Sequence, residues 1–459
     1  MTSRYNLDSK VVQLPPDKSY ISHERNVRKY WKEMNIVEKT KLLNTNGETF
    51  DFMDGPPFAS GCLHLGHFGV GAIKDVFRRL NTMHGRKCKN KVGTDCHGLP
   101  IESLVMKELV LTSNAQIEEF GVDKFNEYCK KKIMEFSGSW EPIFDVMGRD
   151  VDFTNTYKTM DLPFMESVWW VFNELNKKGL VYRGYKVMPY SWGCETPLSN
   201  FEAGLNYKEI DTRSVYVCFR LRLKPEISLV AWTTTPWTLP SNLALCVNPD
   251  TNYLLCTDVH DNKYVVAEES VNNLHLREVK TEFFSKGSDM VGMEYVPLFD
   301  FLEFKYHKVL ADTYVKKSEN IGTGIVHIAP AFGMDDCRIC LDNNVITVKD
   351  LNKVCPITST GTFSSLIIPY AGTLVFDADP QIIKDLHARG LVVRTQNYKH
   401  TYPFCWRKDT PLIYMSVPSF FIKVTEIKDQ MIELNEKINW SKKDIGANRF
   451  KNWLQQIED

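Results

Sequence analysis

Between Thr49 and Leu80 the chain changes its period, and that switch limits the fold more than any other feature. Thr49 to Met53 alternates polar and apolar residues, with Phe50 and Phe52 on one face, which is the pattern of a strand. Asp54-Gly55-Pro56-Pro57 turns the chain. From about His67 the residues Val70, Ile73, Val76, Phe77 and Leu80 recur every three or four positions and predict a helix with one apolar stripe. Strand, loop, helix is the opening of a nucleotide-binding α/β unit. Helical spacing also marks 23–43 (Val27, Tyr30, Trp31, Met34, Ile36 and Val37) and most of the chain from about 100 to 182, where Trp169 and Trp170 share one apolar face.

The texture changes near residue 205. Arg213 to Leu223 reads as a strand, Ile227 to Ala231 as a buried strand, and 252–268 as a hairpin turning at His260-Asp261-Asn262-Lys263. Short strands and turns continue to about 380. After Tyr398 loops and helices are expected, with a helical start at Asn448 to Leu454. No internal repeat is present. A β-rich module therefore interrupts an α/β chain, and 459 residues suit two to four domains at roughly 100–200 residues each.

The net charge of −1 excludes an overall basic field, so any polynucleotide must be met by local patches. The longest apolar runs, such as Ser167 to Phe172, fall far short of the roughly 20 residues of a membrane span. Met1 to Lys10 has no apolar core and carries an acid early, unlike a secretory or transit segment. Twelve scattered cysteines without an export signal read as reduced thiols of a cytoplasmic protein. Cys337 and Cys340 form one close pair; zinc wants four ligands, so the pair reads as ordinary buried thiols on a helix.

His64-Leu65-Gly66-His67 carries the first chemistry. Two imidazoles three residues apart at a helix start can converge on one phosphate chain. Gly66 removes a side chain where a ligand must approach the backbone. The free N–H groups and dipole of the helix end favour an anion, and histidine donors stabilise charge that develops as a phosphate leaves. Such a run alone is as readily chance or metal-related. Its surroundings decide: Asp54-Gly-Pro-Pro-Phe-Ala precedes it, and Val92-Gly-Thr-Asp-Cys-His-Gly-Leu-Pro-Ile-Glu102 follows.

These blocks resemble the HIGH signature and the G-W-D-x-H-G-L-P-x-E segment of class I aminoacyl-tRNA synthetases, in the isoleucine-specific branch. Thr94 stands where that family has Trp. The resemblance implies an α/β class I, Rossmann-like nucleotide-binding fold, incomplete here and interrupted by a β-rich editing domain. It assigns His64 and His67 to catalysis, and Gly66, His64 and His67 to ATP binding. Asp95 would hold the substrate α-ammonium group. Pro57 and Phe58 would wall the aliphatic side chain, with Pro57 equally readable as a turn residue. Ser416-Val-Pro-Ser-Phe-Phe421 resembles the family's x-x-P-x-W-F segment and places Phe420 where a Trp usually meets the amino acid.

A second constellation lies in the β-rich part. Ile227 to Ala231 delivers Trp232-Thr-Thr-Thr-Pro-Trp-Thr-Leu-Pro-Ser-Asn242, with several hydroxyls beside exposed backbone donors. About 80 residues on, Gly322-Thr-Gly-Ile-Val-His-Ile-Ala-Pro-Ala-Phe-Gly-Met-Asp-Asp336 offers one His and a carboxylate pair. Asp336 can anchor an ammonium group, and His327 can hydrogen-bond a ribose hydroxyl or a water. A threonine run is also common on a strand surface, and Asp335-Asp336 would also suit a helix N-terminus. Both blocks resemble the isoleucyl editing insertion; valyl and leucyl relatives carry an Arg-Pro-Glu-Thr-like first block. By position, Thr233, Thr234, Thr235, Asn242, His327 and Asp336 are the editing residues. Isoleucine and valine differ by one methylene, worth about 1–3 kcal/mol in a pocket, a limit for which this enzyme family is itself the standard illustration. A second, hydrolytic sieve follows from that limit.

Residues 190–202 and 402–411 resemble the segments flanking the insertion. Some relatives bind zinc there, but Cys194 and Cys405 alone do not make a tetrahedral site, so no metal is expected. Arg78-Arg79, Arg86 to Lys91 and Lys130 to Lys132 are basic runs that could meet tRNA phosphates, the last reading better as a solvated helix face. No K-M-S-K-S-like lysine loop is found; Asn439-Trp-Ser-Lys-Lys443 is the nearest text. The all-helical anticodon-binding domain is not found either.

The expected division is 1–195, an N-terminal extension plus the first half of the catalytic domain; 196–390, the inserted editing domain; and 391–459, the return to the catalytic domain. The implied activity is ATP-dependent activation of isoleucine and its transfer to tRNA(Ile), with hydrolysis of Val-tRNA(Ile). Mg²⁺ would accompany ATP, and a C-terminal portion of the same enzyme would be a partner. A stand-alone editing hydrolase and an inactive tRNA-binding fragment are the alternatives.

Overall fold

The computed structural model describes residues 19–459, apart from 53, 60, 62, 90, 150 and 317–320. The expectation for Met1 to Lys10, and the parts of the motifs that fall on Met53, Ser60, Cys62 and Asn90, lie outside the described residues. The chain divides into two compact units, Met1–Asn173 and Glu174–Asp459.

In the first unit the helical stretch expected over 23–43 is two helices, α1 (Tyr20–Glu33) and α2 (Ile36–Leu43). Asn35 separates them at φ 48°, in the left-handed region that asparagine tolerates. β1 (Thr49–Phe50) leads to α3 (Leu65–Met83), and β2 (Lys87–Cys88) returns parallel to β1. Parallel strands need such a crossover, so the period switch is a β–α–β unit. β3 (Lys91–Thr94) is followed by α4 (Leu99–Glu108), α5 (Asn114–Phe120), α6 (Val122–Gly138) and α7 (Trp140–Val146), and then pairs parallel with β4 (Asp152–Lys158). Ile101, Val105, Phe125, Ile133, Trp140 and Phe144 form the core against Ala59 and Cys96.

The apolar stripe of α3 does not enter that core. Ile73 and Val76 are 62% and 63% exposed, while Gly71, Arg78 and Asn81 are the buried positions. α8 (Leu162–Lys177) has no buried residue among those described, and Trp169 and Trp170 stand 63% and 64% exposed. An apolar helix face needs a second layer, and the two-stranded parallel sheets here supply none over these residues.

The second unit begins with β5 (Val181–Ser191), β6 (Thr196–Pro197) and the short α9 (Asn200–Ala203). β7 (Tyr207–Arg220), β8 (Ile227–Thr233), a 3-10 turn over Pro236–Ser241, β9 (Ala244–Val247), the hairpin β10 (Asn252–Thr257) and β11 (Lys263–Ala267), and β12 (Lys280–Lys286) follow. The hairpin turns where expected. Asp261 has φ 64°, and Asp258 Oδ1 accepts from the amides of His260 (2.8 Å) and Asn262 (2.9 Å). After α10 (Gly287–Met290) come β13 (Lys308–Ala311), β14 (Ile325–Ile328), α11 (Met334–Asp342), α12 (Val375–Ala388), β15 (Val392–Pro403), β16 (Ile413–Ile422), α13 (Lys428–Glu436) and α14 (Lys451–Gln455). A six-stranded sheet runs β12-β10-β11-β8-β7-β15, with three-stranded sheets β13-β9-β14 and β16-β5-β6. Val215, Val217, Phe219, Leu229, Leu245 and Val265 are fully buried in the common core.

The loops and helices expected after Tyr398 are corrected up to Ile422, where the chain is largely strand; the helices α13 and α14 come only after it. β15 pairs antiparallel along β7 from Val392 opposite Val217 to Pro403 opposite Tyr207, and β16 pairs along β5. Ile413 to Ile422 is rich in β-branched and aromatic residues, but Pro418 interrupts it and argues against a central strand. β16 is an edge strand, where a missing N–H is tolerated.

Candidate functional site: a histidine-capped cleft and a threonine-rich site

His64 is the N-cap of α3, in extended backbone at φ −112° and ψ 172°. The amide of Gly66 donates to His64 Nδ1 (3.1 Å), and the amide of His64 donates to His67 Nδ1 (3.1 Å). The two rings lie 4.0 Å apart, centroid to centroid. An Nδ1 that accepts carries no proton, so each neutral imidazole holds its hydrogen on Nε2. The capping box thus leaves two N–H donors side by side at the positive end of a nineteen-residue helix. His64 is exposed and His67 half-buried; burial, then the neighbouring His64 and Lys74, hold the His67 pKa below its usual value. Gly66 has a further reason to be glycine: a Cβ there would stand 2.9 Å from His64 Cε1 and 3.0 Å from Nδ1.

These histidines line a cleft of about 350 Å³ with Asp54, Pro57, Lys74 and Arg149. The Asp54 side chain is 4% exposed; Lys74 donates to it, and Arg149 lies 3.6 Å away. Lys74 also donates to the carbonyl of Gly55 (2.8 Å). Two cations against one carboxylate leave the cleft one positive charge. Lys74 does have a sequence signal, since it lies seven residues, about two turns, after His67 on one face. Arg149 carried none, because it reaches the cleft only through tertiary structure.

Asp95 sits beside the same loop. Its amide donates to the carbonyl of Pro57 (3.0 Å), its carbonyl accepts from Ala59 (3.2 Å), and Phe58 bridges to it in parallel. Asp95 Oδ1 accepts from the hydroxyl of Thr159 (3.3 Å). Pro57 faces the cleft while Phe58 packs on the helical core. Phe420 lies on β16 of the second unit and is 65% exposed.

The threonine-rich site is built inside the second unit. β8 ends in Thr233, whose hydroxyl accepts from the amide of Thr235 (3.1 Å) and lies 3.2 Å from its hydroxyl. Thr234 is partly buried beside them. Thr238 donates its hydroxyl hydrogen to the carbonyl of Thr235 (2.8 Å) and contacts His327 Nε2 at 2.9 Å. That hydroxyl has one hydrogen, so His327 is the donor through Nε2–H, and its Nδ1 is a bare acceptor. This Nδ1 is buried and makes no hydrogen bond. Burial lowers the His327 pKa to about 4, which keeps the ring neutral. Thr238 joins the threonine block to the histidine block, a role that its position in the sequence does not signal.

Asp336 lies in the first turn of α11, and its Oδ2 accepts from the amide of Ala329 (2.8 Å). Burial raises its carboxyl to about 7 against the pull of that amide. Asn242 is 7% exposed; its Oδ1 accepts from Tyr295 (2.7 Å) and its Nδ2 donates to the carbonyl of Ala244 (2.8 Å). Asn242, the residue after the turn, is thereby tied to Tyr295 and to the start of β9.

Cys337 and Cys340 are buried on α11. The sulfurs of Cys194 and Cys405 lie 3.7 Å apart, and the hydrogen bond between them holds the Cys405 thiol below its usual pKa. Arg78 is buried and bonded to Asp75 (3.0 Å), and Lys132 pairs with Glu108 and Glu135. Both runs carry internal ion pairs.

The family described as tRNA synthetases class I (I, L, M and V) matches residues 26–459. The cytoplasmic isoleucine–tRNA ligase of Mus musculus is 42% identical over 456 residues, covering 98% of this chain and 36% of its own length. The isoleucine–tRNA ligase of Tetrahymena thermophila is 43% identical over 460 residues, covering 98% of this chain and 42% of its own. The solved editing domain of the P. falciparum cytosolic leucyl-tRNA synthetase is 16% identical, overlapping 40% of this chain and 99% of its own at a TM-score of 0.32. The chain thus spans about two fifths of the length of the curated relatives it matches. With its motifs in place on a mixed α/β framework, this chain belongs to the class I tRNA synthetase family.

Proposed function

We propose that this chain forms the N-terminal portion of an isoleucine–tRNA ligase, the activity that its relatives' names carry. The observation that supports this most is the pair of Nε2–H donors above a cleft with one net positive charge. In the proposed reaction the carboxylate of isoleucine attacks the α-phosphate of ATP, pyrophosphate leaves, and the acyl group then moves to the terminal ribose of tRNA(Ile). His64 and His67 donate to the phosphates, Gly66 lets them approach, Asp95 holds the amino group, and Pro57 and Phe58 shape the amino-acid site. The chemistry is positioning plus electrostatic stabilisation. Mg²⁺ fits as a companion of the triphosphate: Asp54 is the one acid among the cleft-lining residues, and Lys74 and Arg149 occupy it.

The same reading makes 196–390 the editing domain between the catalytic segments 1–195 and 391–459. Thr233, Thr234, Thr235, Asn242, His327 and Asp336 would serve hydrolysis of Val-tRNA(Ile). A cytoplasmic setting belongs to this proposal; no described helix is long and apolar enough to cross a membrane. Isoleucine-dependent exchange of pyrophosphate into ATP tests the ligase reading. Exchange that is equally fast without isoleucine, or abolished by neither His64→Ala nor His67→Ala, rejects it.

A second reading is a hydrolase of mischarged tRNA without ligation. It is favoured by one observation: the threonine and histidine blocks meet within one compact unit. Deacylation of Val-tRNA(Ile) without aminoacylation would select it, and tRNA binding without either turnover would leave only a binding fragment.

A further inference from the structure

The turn that carries Thr238 has no cap of its own. Thr235 precedes the 3-10 turn Pro236–Ser241 and makes no side-chain cap bond, and Pro236 has no N–H. The first amide of the turn is that of Trp237, and such an orphan donor must find a partner when buried. It donates across 2.7 Å to Oδ1 of Asp379, 142 residues further along the chain on α12. The Trp237 ring is wedged edge-on against Phe332 at 4.9 Å, next to the glycine that starts α11. One residue on, Thr238 gives its hydroxyl hydrogen to Thr235 and accepts from His327.

We propose that Asp379 is a positioning residue of the deacylation site: it caps the threonine-rich turn from another helix and thereby sets, through Thr238, the tautomer of His327. This rests on the editing reading above. Asp379 does not reach the substrate. Its carboxyl oxygen holds one amide, that amide fixes the turn, and the turn presents the hydroxyl oxygen that keeps the imidazole hydrogen on Nε2. Burial raises the Asp379 carboxyl to about 8 with only the Trp237 amide opposing, so an uncharged acceptor of the same shape should serve as well.

The test compares the whole protein with Asp379→Ala and Asp379→Asn variants in hydrolysis of Val-tRNA(Ile), alongside the imidazole nitrogen NMR shifts of His327. Asp379→Ala is expected to lower kcat about tenfold, the worth of one hydrogen bond, with KM unchanged. It is also expected to move the His327 shifts toward a mixture of tautomers. Asp379→Asn, whose amide oxygen can accept the same bond, is expected to restore both. Wild-type shifts and kcat in Asp379→Ala overturn the proposal, as does an Asn variant as impaired as the Ala variant. A wild type that does not hydrolyse Val-tRNA(Ile) while the shifts respond as expected rejects the editing reading and keeps the capping role.

Discussion

His327 donates through Nε2 to the hydroxyl of Thr238 across 2.9 Å, and that hydroxyl donates in turn to Thr235. Thr238→Val keeps the shape and removes the acceptor, leaving a buried N–H unpaired. Such a group costs about 1–3 kcal/mol. The expected result is a lower denaturant midpoint for the second unit and slower deacylation, with Thr238→Ser close to wild type. Equal midpoints for Thr238→Val and wild type would refute a stabilising hydrogen bond between His327 and Thr238.

The same unit should lose stability as pH rises above neutrality. Asp336 and Asp379 have carboxyls raised by burial to about 7 and about 8. Unfolded, each ionises near its ordinary value of about 4, so the folded state binds more protons in between and stability falls as pH rises through the folded values. His327 works oppositely: its pKa is lowered to about 4, so its contribution is complete above about 6.5 and is lost as pH falls through about 4. From about pH 6.5 to about 8.5 only the acids act. Melting temperature should decline across that window, and Asp379→Asn should flatten the decline.

How much of this was legible in the sequence follows from how local each signal is. The histidine pair, the threonine block and the Gly322–Asp336 block are short runs of neighbouring residues, so they could be singled out directly as candidates. The stripe of α3 was legible as a helix, but a period cannot say which face another layer covers, and Val76 faces out while Arg78 is buried. β16 was hidden by Pro418, which is acceptable only because that strand is an edge. Asp379 and Arg149 left no trace, since each acts across a separation that no spacing rule links.

Gly66→Ala tests the cap. The added Cβ would sit 2.9 Å from His64 Cε1, so the imidazole must swing away from the Gly66 amide. Loss of an N-cap costs about 1 kcal/mol. The larger effect should be on ATP, because the two Nε2–H donors no longer lie side by side. Calorimetric titration is expected to show ATP affinity down several-fold with helicity by circular dichroism unchanged. Unchanged affinity would separate the cap from phosphate binding.

Lys74 and Asp54 should respond to substitution in different ways. Removing Asp54 as Asp54→Asn leaves two cations, with side chains 20% and 10% exposed, facing each other over a neutral amide. Breaking a buried pair from one side costs about 3–5 kcal/mol, so the first unit should be strongly destabilised. Lys74→Met leaves Arg149 to balance Asp54, with a smaller loss of stability, and takes the cleft from one net positive charge to none. Pyrophosphate binding to the Lys74→Met protein should therefore be weaker and less sensitive to salt than in the wild type. Calorimetry over a range of ionic strengths reads both terms. Equal salt dependence in the two proteins would mean that the Lys74 charge does not reach the anion, and that Asp54 and Lys74 form only a structural pair beneath the histidines.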